Sequence, residues 1–211
     1  MLETWSNGSG VPLGLGDYQA DYEARFAGSA GHDSWKLERR QHFREPGNPS
    51  WEAFARHDWP EAMRLIQSQR EEFSAESEEA ERIGVTLFRI RVVAKPFTPY
   101  LHWELHLLKA RADCGEKIRV LAVEDVAPFE SHEALPEILT VGRDTVYEIR
   151  YSDDGVLDGA VRHTDLEAAT RCKDFLADLY ARGEELDRFF WREVAPLPPP
   201  VPEGPDVPEE S

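Results

Sequence analysis

Residues 85–95 read VTLFRIRVVAK, and this stretch decides the fold because its side chains alternate with the period of a β-strand. Phe88 and Ile90 point to one side of an extended chain. Arg89 and Arg91 point to the other side. The pattern predicts a half-buried strand with a basic outer face.

The residues that follow predict a βαβ unit. A helix is predicted from Pro99 to about Ala112, because proline suits the first turn of a helix and Gly115 is typical of its end. Residues 117–123, KIRVLAV, alternate again and predict a second strand. Strand, helix and strand within about forty residues have the size of a βαβ unit, in which the strands are parallel and the crossover is right-handed.

The downstream sequence predicts antiparallel strands and a long helix. Residues 137–141, EILTV, and 145–163, TVYEIRYSDDGVLDGAVRH, have the composition of strands. The SDDG turn within the second of these ranges predicts a hairpin. A helix is predicted from about Asp165 to Glu193, and Gly183 is expected to kink or divide it.

The upstream sequence is predicted to be helical. Tyr18, Tyr22 and Phe26 are spaced four apart and form one aromatic stripe on a helix, and Pro60 is placed to open another helix. The predicted fold class is therefore α+β (or α/β). It comprises a helical N-terminal half, then a mixed β-sheet with one βαβ unit, a β-hairpin and a long C-terminal helix.

The predicted domain organisation has three parts. Residues 1–16 are rich in glycine and are expected to be a flexible lead. Residues 17–195 are expected to form a single globular domain, with a helical part at 17–83 and a mixed sheet part at 84–195. Residues 196–211 are acidic and proline-rich, which predicts a disordered tail.

Composition restricts the function classes. The net charge of −17 opposes contact with phosphate backbones, so non-specific nucleic-acid binding is not expected. The two cysteines, Cys114 and Cys172, lie far apart and indicate neither a disulfide framework nor a thiolate zinc site. Neither a signal peptide nor an apolar run of the ~18 residues that a membrane span needs is recognisable, so a cytoplasmic protein without membrane contact is expected.

Two histidines in the predicted helix invite comparison with a zinc hydrolase. His102 and His106 share a helix face, but Glu104 lies on the opposite face and cannot act on a metal held by them. Lys109 falls on the histidine stripe, where its charge would oppose a cation. We therefore predict no metal and no cofactor. The histidines are expected on a polar outward face, with a pH-sensitive or partner contact as the alternative.

Glu104 is the more informative residue, and two interpretations of it remain open. A carboxylate on a helix that is covered from more than one side needs a partner, which Arg111, Arg91 or Arg119 would provide in a structural ion pair. Alternatively, Glu104 belongs to a ligand site at the carboxyl edge of the sheet, where a helix N-terminus favours an anion. Lys95 lies in the turn that leads to that helix start, which reads Lys95-Pro96-Phe97-Thr98-Pro99.

The candidate site is defined by five residues. Glu104 is the candidate catalytic residue, acting as a general base. The candidate anion- or ligand-binding residues are Arg91, Lys95, Tyr100 and Arg119.

Four stretches of the chain resemble a family of actinobacterial proteins catalogued as a domain of unknown function. They read WKLERRQHFREPGNPSWEAF, RVVAKPFTPYLHWELHLL, GEKIRVL and VYEIRYSDDGVLDGAVRHTD, and the resemblance covers Asp33 to about Glu193. The family pattern is matched here by Arg91, Val92, Val93, Pro96, Tyr100, Glu104, Gly115, Glu116 and Arg119. The two histidines lie outside that pattern. Members are often encoded near helix-turn-helix regulators, so the resemblance implies regulation or a toxin-and-antidote arrangement.

Two functions are consistent with these observations. The first is a non-catalytic intracellular regulatory or protein-interaction protein that partners a helix-turn-helix transcription regulator. Its aromatic anchors would be the exposed members of the set Trp35, Phe43, Trp51 and Trp59, and a place in the core is the alternative for these rings. The alternative is an enzyme or toxin-like protein that acts on a phosphate-bearing substrate, a nucleotide or RNA, through an arginine and glutamate site.

Overall fold

An eight-stranded mixed sheet organises the chain in this computed structural model, which describes residues 10–130 and 133–200. The strands are β1 Val11–Gly14, β2 Ser34–Glu38, β3 Leu87–Val93, β4 Lys117–Ala122, β5 Ile138–Val141, β6 Thr145–Tyr151, β7 Leu157–Thr164 and β8 Glu184–Glu185. Their order across the sheet is β1-β7-β6-β5-β2-β3-β4-β8. The neighbours β2, β3 and β4 are parallel, and the other neighbouring pairs are antiparallel.

Helices cover both faces of this sheet. They are α1 Leu15–Ala27, α2 Pro49–Ala55, α3 Trp59–Ser68, α4 Arg70–Arg82, α5 Pro99–Asp113, α6 Val123–Val126, α7 Leu166–Arg182 and α8 Leu186–Phe189. A 3₁₀ turn at Ala127–Phe129 follows α6, and a π-helical turn at Phe190–Val194 follows α8. The predicted α+β fold class is confirmed. Within the described ranges, no helix combines the length and apolar character that crossing a bilayer requires.

The predicted βαβ unit is confirmed as β3, α5 and β4. The Oγ1 atom of Thr98 accepts the backbone N–H of Leu101 at 3.0 Å and caps the start of α5. After α5 the chain reverses at Gly115, whose φ of +123° lies in the region that favours glycine. Local residues therefore define both ends of the helix between two parallel strands.

The predicted hairpin and long helix are also present. β6 and β7 pair along most of their length, and Gly155 adopts a φ of +83° in the turn between them. The C-terminal helix divides at Gly183, because the chain there becomes extended and forms the short strand β8. Division at this glycine is one of the two outcomes that the sequence predicts.

The two faces of the sheet have different cores. On one face α7 packs on apolar side chains of β2, β3 and β4, with Leu176 fully buried among Leu37, Ile90 and Leu121. On the other face α5 packs against β4 and α8. The helices α2, α3, α4 and α5 form a further apolar cluster around the buried Trp103. This helical layer lies over the face of β2 and β3 that carries Lys36, Glu38, Arg89 and Arg91.

The predicted N-terminal half needs two corrections. Residues 11–14, assigned to the flexible lead, form the edge strand β1, which pairs with β7, and α1 begins at Leu15. Residues 1–9 of the predicted lead lie outside the described residues. Residues 34–38 form β2 in the middle of the sheet, although the whole first half was expected to be helical. Most of the proposed tail, residues 201–211, also lies outside the described residues.

Candidate ligand-binding cleft

A cleft separates the helical layer from one face of the sheet. It consists of two adjoining cavities of about 590 Å³ and about 500 Å³. Both cavities are lined by Lys36, Glu76, Arg89, Arg111, Tyr151 and Leu157. The larger cavity also reaches Tyr100 and Glu104 on α5, two of the predicted site residues. Its volume falls in the range of ~300–1,000 Å³ that is typical of sites for small ligands.

Glu104, on the wall of the larger cavity, forms an ion pair with Arg91, which lies behind that wall. The Nε atom of Arg91 donates to Oε2 of Glu104 at 2.7 Å, and Nη2 lies 2.7 Å from the same oxygen. The two side chains are 0% and 5% exposed. Nη1 of Arg91 donates to the backbone carbonyl oxygens of Glu38, Arg40 and Val92. Arg91 thus directs its donors to groups of the protein itself.

The surroundings of Glu104 perturb its titration. Burial, together with the nearby carboxylates of Glu38 and Glu45, raises the pKa of Glu104 to about 7 against the opposing effect of Arg91. A carboxyl group with such a pKa can exchange a proton near neutral pH. Glu104 therefore keeps the chemical capacity of a general base, although its principal contact is Arg91.

Arg89 is the centre of a second buried ion network on the cleft floor. Its Nε atom lies 2.5 Å from Glu116, and its Nη1 atom donates to the two carboxylate oxygens of Glu38 at 2.9 and 3.0 Å. Lys36 also pairs with Glu38, at 2.6 Å. Burial opposes ionisation of Glu38, but Arg89 and Lys36 outweigh it and hold the pKa of Glu38 well below its usual range.

This network continues through Arg111 to the rim of the cleft. Its Nε atom donates to Glu116 at 2.7 Å, and its Nη2 atom contacts Glu76 on α4. The Arg111 guanidinium also lies 4.7 Å from the centre of the Phe73 ring. Both Arg89 and Arg91 are buried, so the expectation of a basic outer face on β3 is wrong. The helical layer covers this face, and carboxylates from β2, from α5 and from Glu116, just before β4, neutralise it.

Aromatic side chains form the walls of the larger cavity. The Phe43 ring contacts Tyr100 edge-to-face at 5.6 Å and Tyr151 at 4.6 Å between ring centres. The hydroxyl of Tyr100 donates to Glu45 at 2.6 Å. Burial, with the charges of Glu104 and Glu45, raises the pKa of Tyr100 well above its ordinary value, so the hydroxyl stays protonated at neutral pH.

Two predicted site residues lie away from this cleft. Lys95 is exposed and pairs with Glu193 near the C-terminal helix. Arg119 projects from the opposite face of the sheet, where its guanidinium lies 4.7 Å from the Tyr180 ring centre and 3.6 Å from Glu185. The structure therefore brings together Arg91, Tyr100 and Glu104 but separates Lys95 and Arg119 from them.

The turn between β3 and α5, where the sequence predicts an anion, is held by hydrogen bonds within the chain. The Oε1 atom of Gln41 accepts the backbone N–H of Ala94 at 2.6 Å, and its Nε2 atom donates to the carbonyl oxygens of Arg39 and Val92. The hydroxyl of Thr98 donates to the Gln41 carbonyl oxygen at 2.6 Å. This turn therefore joins β3 to the loop after β2 through internal hydrogen bonds.

The expectation of an outward histidine face is also wrong. His102 is 5% exposed, and its ring centre lies 5.5 Å from that of His106 and 5.5 Å from that of Trp59. His106 contacts Phe190 at 4.9 Å, and burial together with His102 lowers its pKa to about 4. Trp59 of α3 contacts both rings, and Phe190 of the π-helical turn contacts His106. Among the described residues, no three His, Cys, Asp or Glu side chains converge as a metal site.

The four candidate partner anchors are buried or half-buried: Trp35, Phe43, Trp51 and Trp59. Phe43 is buried against Tyr100, and Trp35 stacks on Phe88. Trp51 and Trp59 are partly buried against the cluster around Trp103. These rings consequently contribute to the core and to the cleft wall rather than to an open aromatic surface.

Several residues of the cleft carry no signal in the sequence. Lys36 and Glu38 belong to the unpredicted strand β2, and Glu45 lies in the loop that follows it. Glu116 did carry a signal, because it belongs to the Gly-Glu-x-x-Arg part of the family pattern. The alternation of β3 also placed Arg89 beside Arg91 on one face, which is where both are found.

The fold and the cleft together define an α+β protein with a charged, aromatic-walled cavity between its sheet and a helical layer. The chain belongs to the family described as Domain of unknown function (DUF6879), whose model matches residues 20–191. A comparison with curated proteins found no match. The matched range extends from α1 to the C-terminal helix and includes the residues of the Arg91 and Arg89 networks.

Proposed function

We propose that this protein is a non-catalytic, cytoplasmic regulatory protein that acts by binding another protein. The observation that supports this proposal is the internal pairing of Arg89, Arg91 and Arg111, which direct their guanidinium groups to the protein's own carboxylates. An anion-binding active site needs donors that are available to substrate. The ion networks instead give the cleft a fixed shape, which suits binding.

The proposed partner is a helix-turn-helix transcription regulator, the class that the family resemblance implies. Such a regulator needs basic residues to contact DNA phosphates, whereas this chain has a net charge of −17. Helix α4, beside the cleft, carries six glutamates at exposed positions. Opposite charges steer association, so this side of the protein is the proposed contact surface.

The test uses the purified full chain and a purified helix-turn-helix regulator from the same genome. Light scattering after gel filtration and isothermal titration should show a complex at micromolar concentration, and its affinity should fall as salt rises. The test variant changes Glu78 and Glu81 on α4 to lysine. The control changes Asp174 and Asp178, exposed residues of α7 on the other face, to lysine.

The α4 variant should lose the complex, whereas the α7 control, with the same change in net charge, should retain it. Absence of a complex at micromolar concentration would rule out the regulator as partner. Equal loss in both variants would show that total charge, rather than the α4 surface, controls association.

A second candidate function is supported by Glu104. Its raised pKa and its position on the cleft wall suit a general base acting on a nucleotide or RNA. Purified protein should then hydrolyse one of these substrates, and Glu104→Gln should abolish the activity while circular dichroism shows an unchanged fold. Absence of turnover by the wild-type protein, or equal turnover by the variant, would exclude this role.

A further inference from the structure

The charges that line the cleft do not balance. Every Lys or Arg side chain that lines it has a carboxylate partner: Lys36, Arg44, Arg89 and Arg111. Glu45 and Glu72 also line the larger cavity, but neither has a cationic partner within 4.0 Å among the described residues. The local charge that lacks a counter-charge is therefore negative.

Glu45 is held in position by neutral groups. One carboxylate oxygen accepts the Tyr100 hydroxyl at 2.6 Å, and the other accepts the Asn48 side-chain amide at 2.8 Å. A carboxylate has about four acceptor positions, so these bonds leave capacity for further donors. Glu45 is half-buried, which makes a local positive charge more favourable than it would be in open water.

The walls around Glu45 suit an organic cation. Phe43, Tyr100 and Phe73 line the same cavity, and the negative face of an aromatic ring attracts a cation within ~6 Å. The protein already uses one of these rings in this way, because the Arg111 guanidinium lies 4.7 Å from the Phe73 ring centre. The walls therefore offer apolar contact and cation attraction together.

From this geometry we propose that the cleft binds an organic cation, an ammonium or guanidinium group attached to an apolar body. The cationic group contacts Glu45, and the apolar body packs against the wall that Phe43, Tyr100 and Phe73 form. The volume of about 590 Å³ accommodates either a small molecule or the end of a lysine or arginine side chain. This inference rests on the proposed function only in treating the cleft as a binding site rather than an active site.

The test titrates the full chain with phenethylammonium and with phenethylguanidinium, and uses 2-phenylethanol as the neutral control. Isothermal titration should give saturable millimolar binding of at least one cation, and the alcohol should bind at least about tenfold more weakly, a difference of ~1.4 kcal/mol. Glu45→Gln, which preserves an acceptor for Tyr100, should weaken cation binding by a similar factor. Asp174→Asn on α7 removes a charge elsewhere and should not change it.

Phe73→Leu provides a second variant that leaves every carboxylate in place, and it should weaken binding of the cation more than binding of the alcohol. Circular dichroism verifies that each variant folds. Equal binding of the cation and the alcohol would overturn the proposal, as would an unchanged affinity in Glu45→Gln or no saturable binding of either cation.

The source of the cation is distinguished by two further titrations. An acetylated, amidated arginine and a regulator-derived peptide that contains arginine are each compared with the phenethyl cations. Tighter binding of the peptide assigns the cleft to a partner side chain, and tighter binding of the phenethyl cations assigns it to a small molecule. A regulator complex that forms although no cation binds would overturn this inference alone and leave the proposed function intact.

Discussion

Replacing Arg89 with methionine should destabilise the protein strongly. Arg89 is the shared partner of Glu38 and Glu116, and its side chain is 10% exposed while each carboxylate is 6% exposed. Methionine fills a similar volume but supplies neither charge nor donor. The substitution therefore leaves two buried carboxylates without their central counter-ion.

The magnitude follows from this burial. Removing one partner of a buried ion pair costs about 3–5 kcal/mol. Lys36 remains on Glu38 and Arg111 remains on Glu116, so we expect a value near the lower limit, about 3 kcal/mol. For a protein of this size, each kcal/mol lowers the melting temperature by about 2–4 °C, which gives a fall of about 6–12 °C.

The effect should also depend on pH in one direction. Arg89 lowers the pKa of both Glu38 and Glu116 in the folded state, although burial acts in the opposite direction. These groups therefore contribute stability above their unfolded pKa of about 4.5, and the contribution decreases as pH falls through the folded value. The difference between wild type and Arg89→Met should thus be larger at pH 7 than at pH 4.

Urea unfolding followed by tryptophan fluorescence at both pH values measures this difference. Glu79→Gln is the matched control, because it breaks the exposed pair with Arg82 on α4 and should leave the unfolding midpoint unchanged. A loss below about 1 kcal/mol at pH 7 in Arg89→Met would contradict the argument from burial. A difference that does not change with pH would show that the carboxylates do not carry the effect.

Three further outcomes are expected. Glu104→Gln should become more stable relative to wild type as pH rises from about 4.5 to about 7. The pKa of the folded wild-type carboxyl is raised to about 7, so the wild-type protein loses stability over this range, whereas the amide does not titrate. A difference in the free energy of unfolding that stays constant with pH would contradict that pKa. His106→Phe should reduce the loss of stability between about pH 6.5 and pH 4. In the wild-type protein the buried imidazole stays neutral over this range, whereas the unfolded chain takes up a proton, and phenylalanine removes that difference. An unchanged dependence of the urea unfolding midpoint on pH would refute this. Gly159→Ala should release β1, because the new Cβ would overlap the Leu13 carbonyl oxygen and alanine would have to adopt a φ of +136°. Hydrogen exchange should become faster in residues 11–14 alone. Unchanged exchange there would exclude the clash.

The parts of the fold that local chemistry controls could be predicted from the sequence. Thr98 and Gly115 mark the ends of α5 through a side-chain cap and a positive φ. Gly183 likewise divides the C-terminal helix. Each of these signals acts over a few residues, so it is readable without knowledge of the tertiary structure.

Strand β2 could not be predicted because its stability is not local. Lys36 and Glu38 lie on the buried side of β2, where apolar residues are expected in a strand pattern. They are accommodated because Arg89, fifty-one residues after Glu38, neutralises Glu38 across the sheet. Alternating hydrophobicity does not record such a distant partner.

The candidate site could be predicted only in part, for a reason that lies in strand register. Arg91 is opposite Val120 in the pairing of β3 and β4, and Ile90 is opposite Arg119. Side chains opposite each other in a sheet share a face, so Arg91 and Arg119 must point to different sides. Each strand's alternation is visible in the sequence, but the register between the strands is not.

The most direct test of the proposed binding role is hydrogen-exchange mass spectrometry of the full chain with and without the helix-turn-helix regulator. Binding at the α4 surface should slow exchange in α4 and in residues 43–48, which line the cleft, and should leave exchange in α7 unchanged. Slower exchange confined to α7, or no change at concentrations at which both proteins are micromolar, would contradict it.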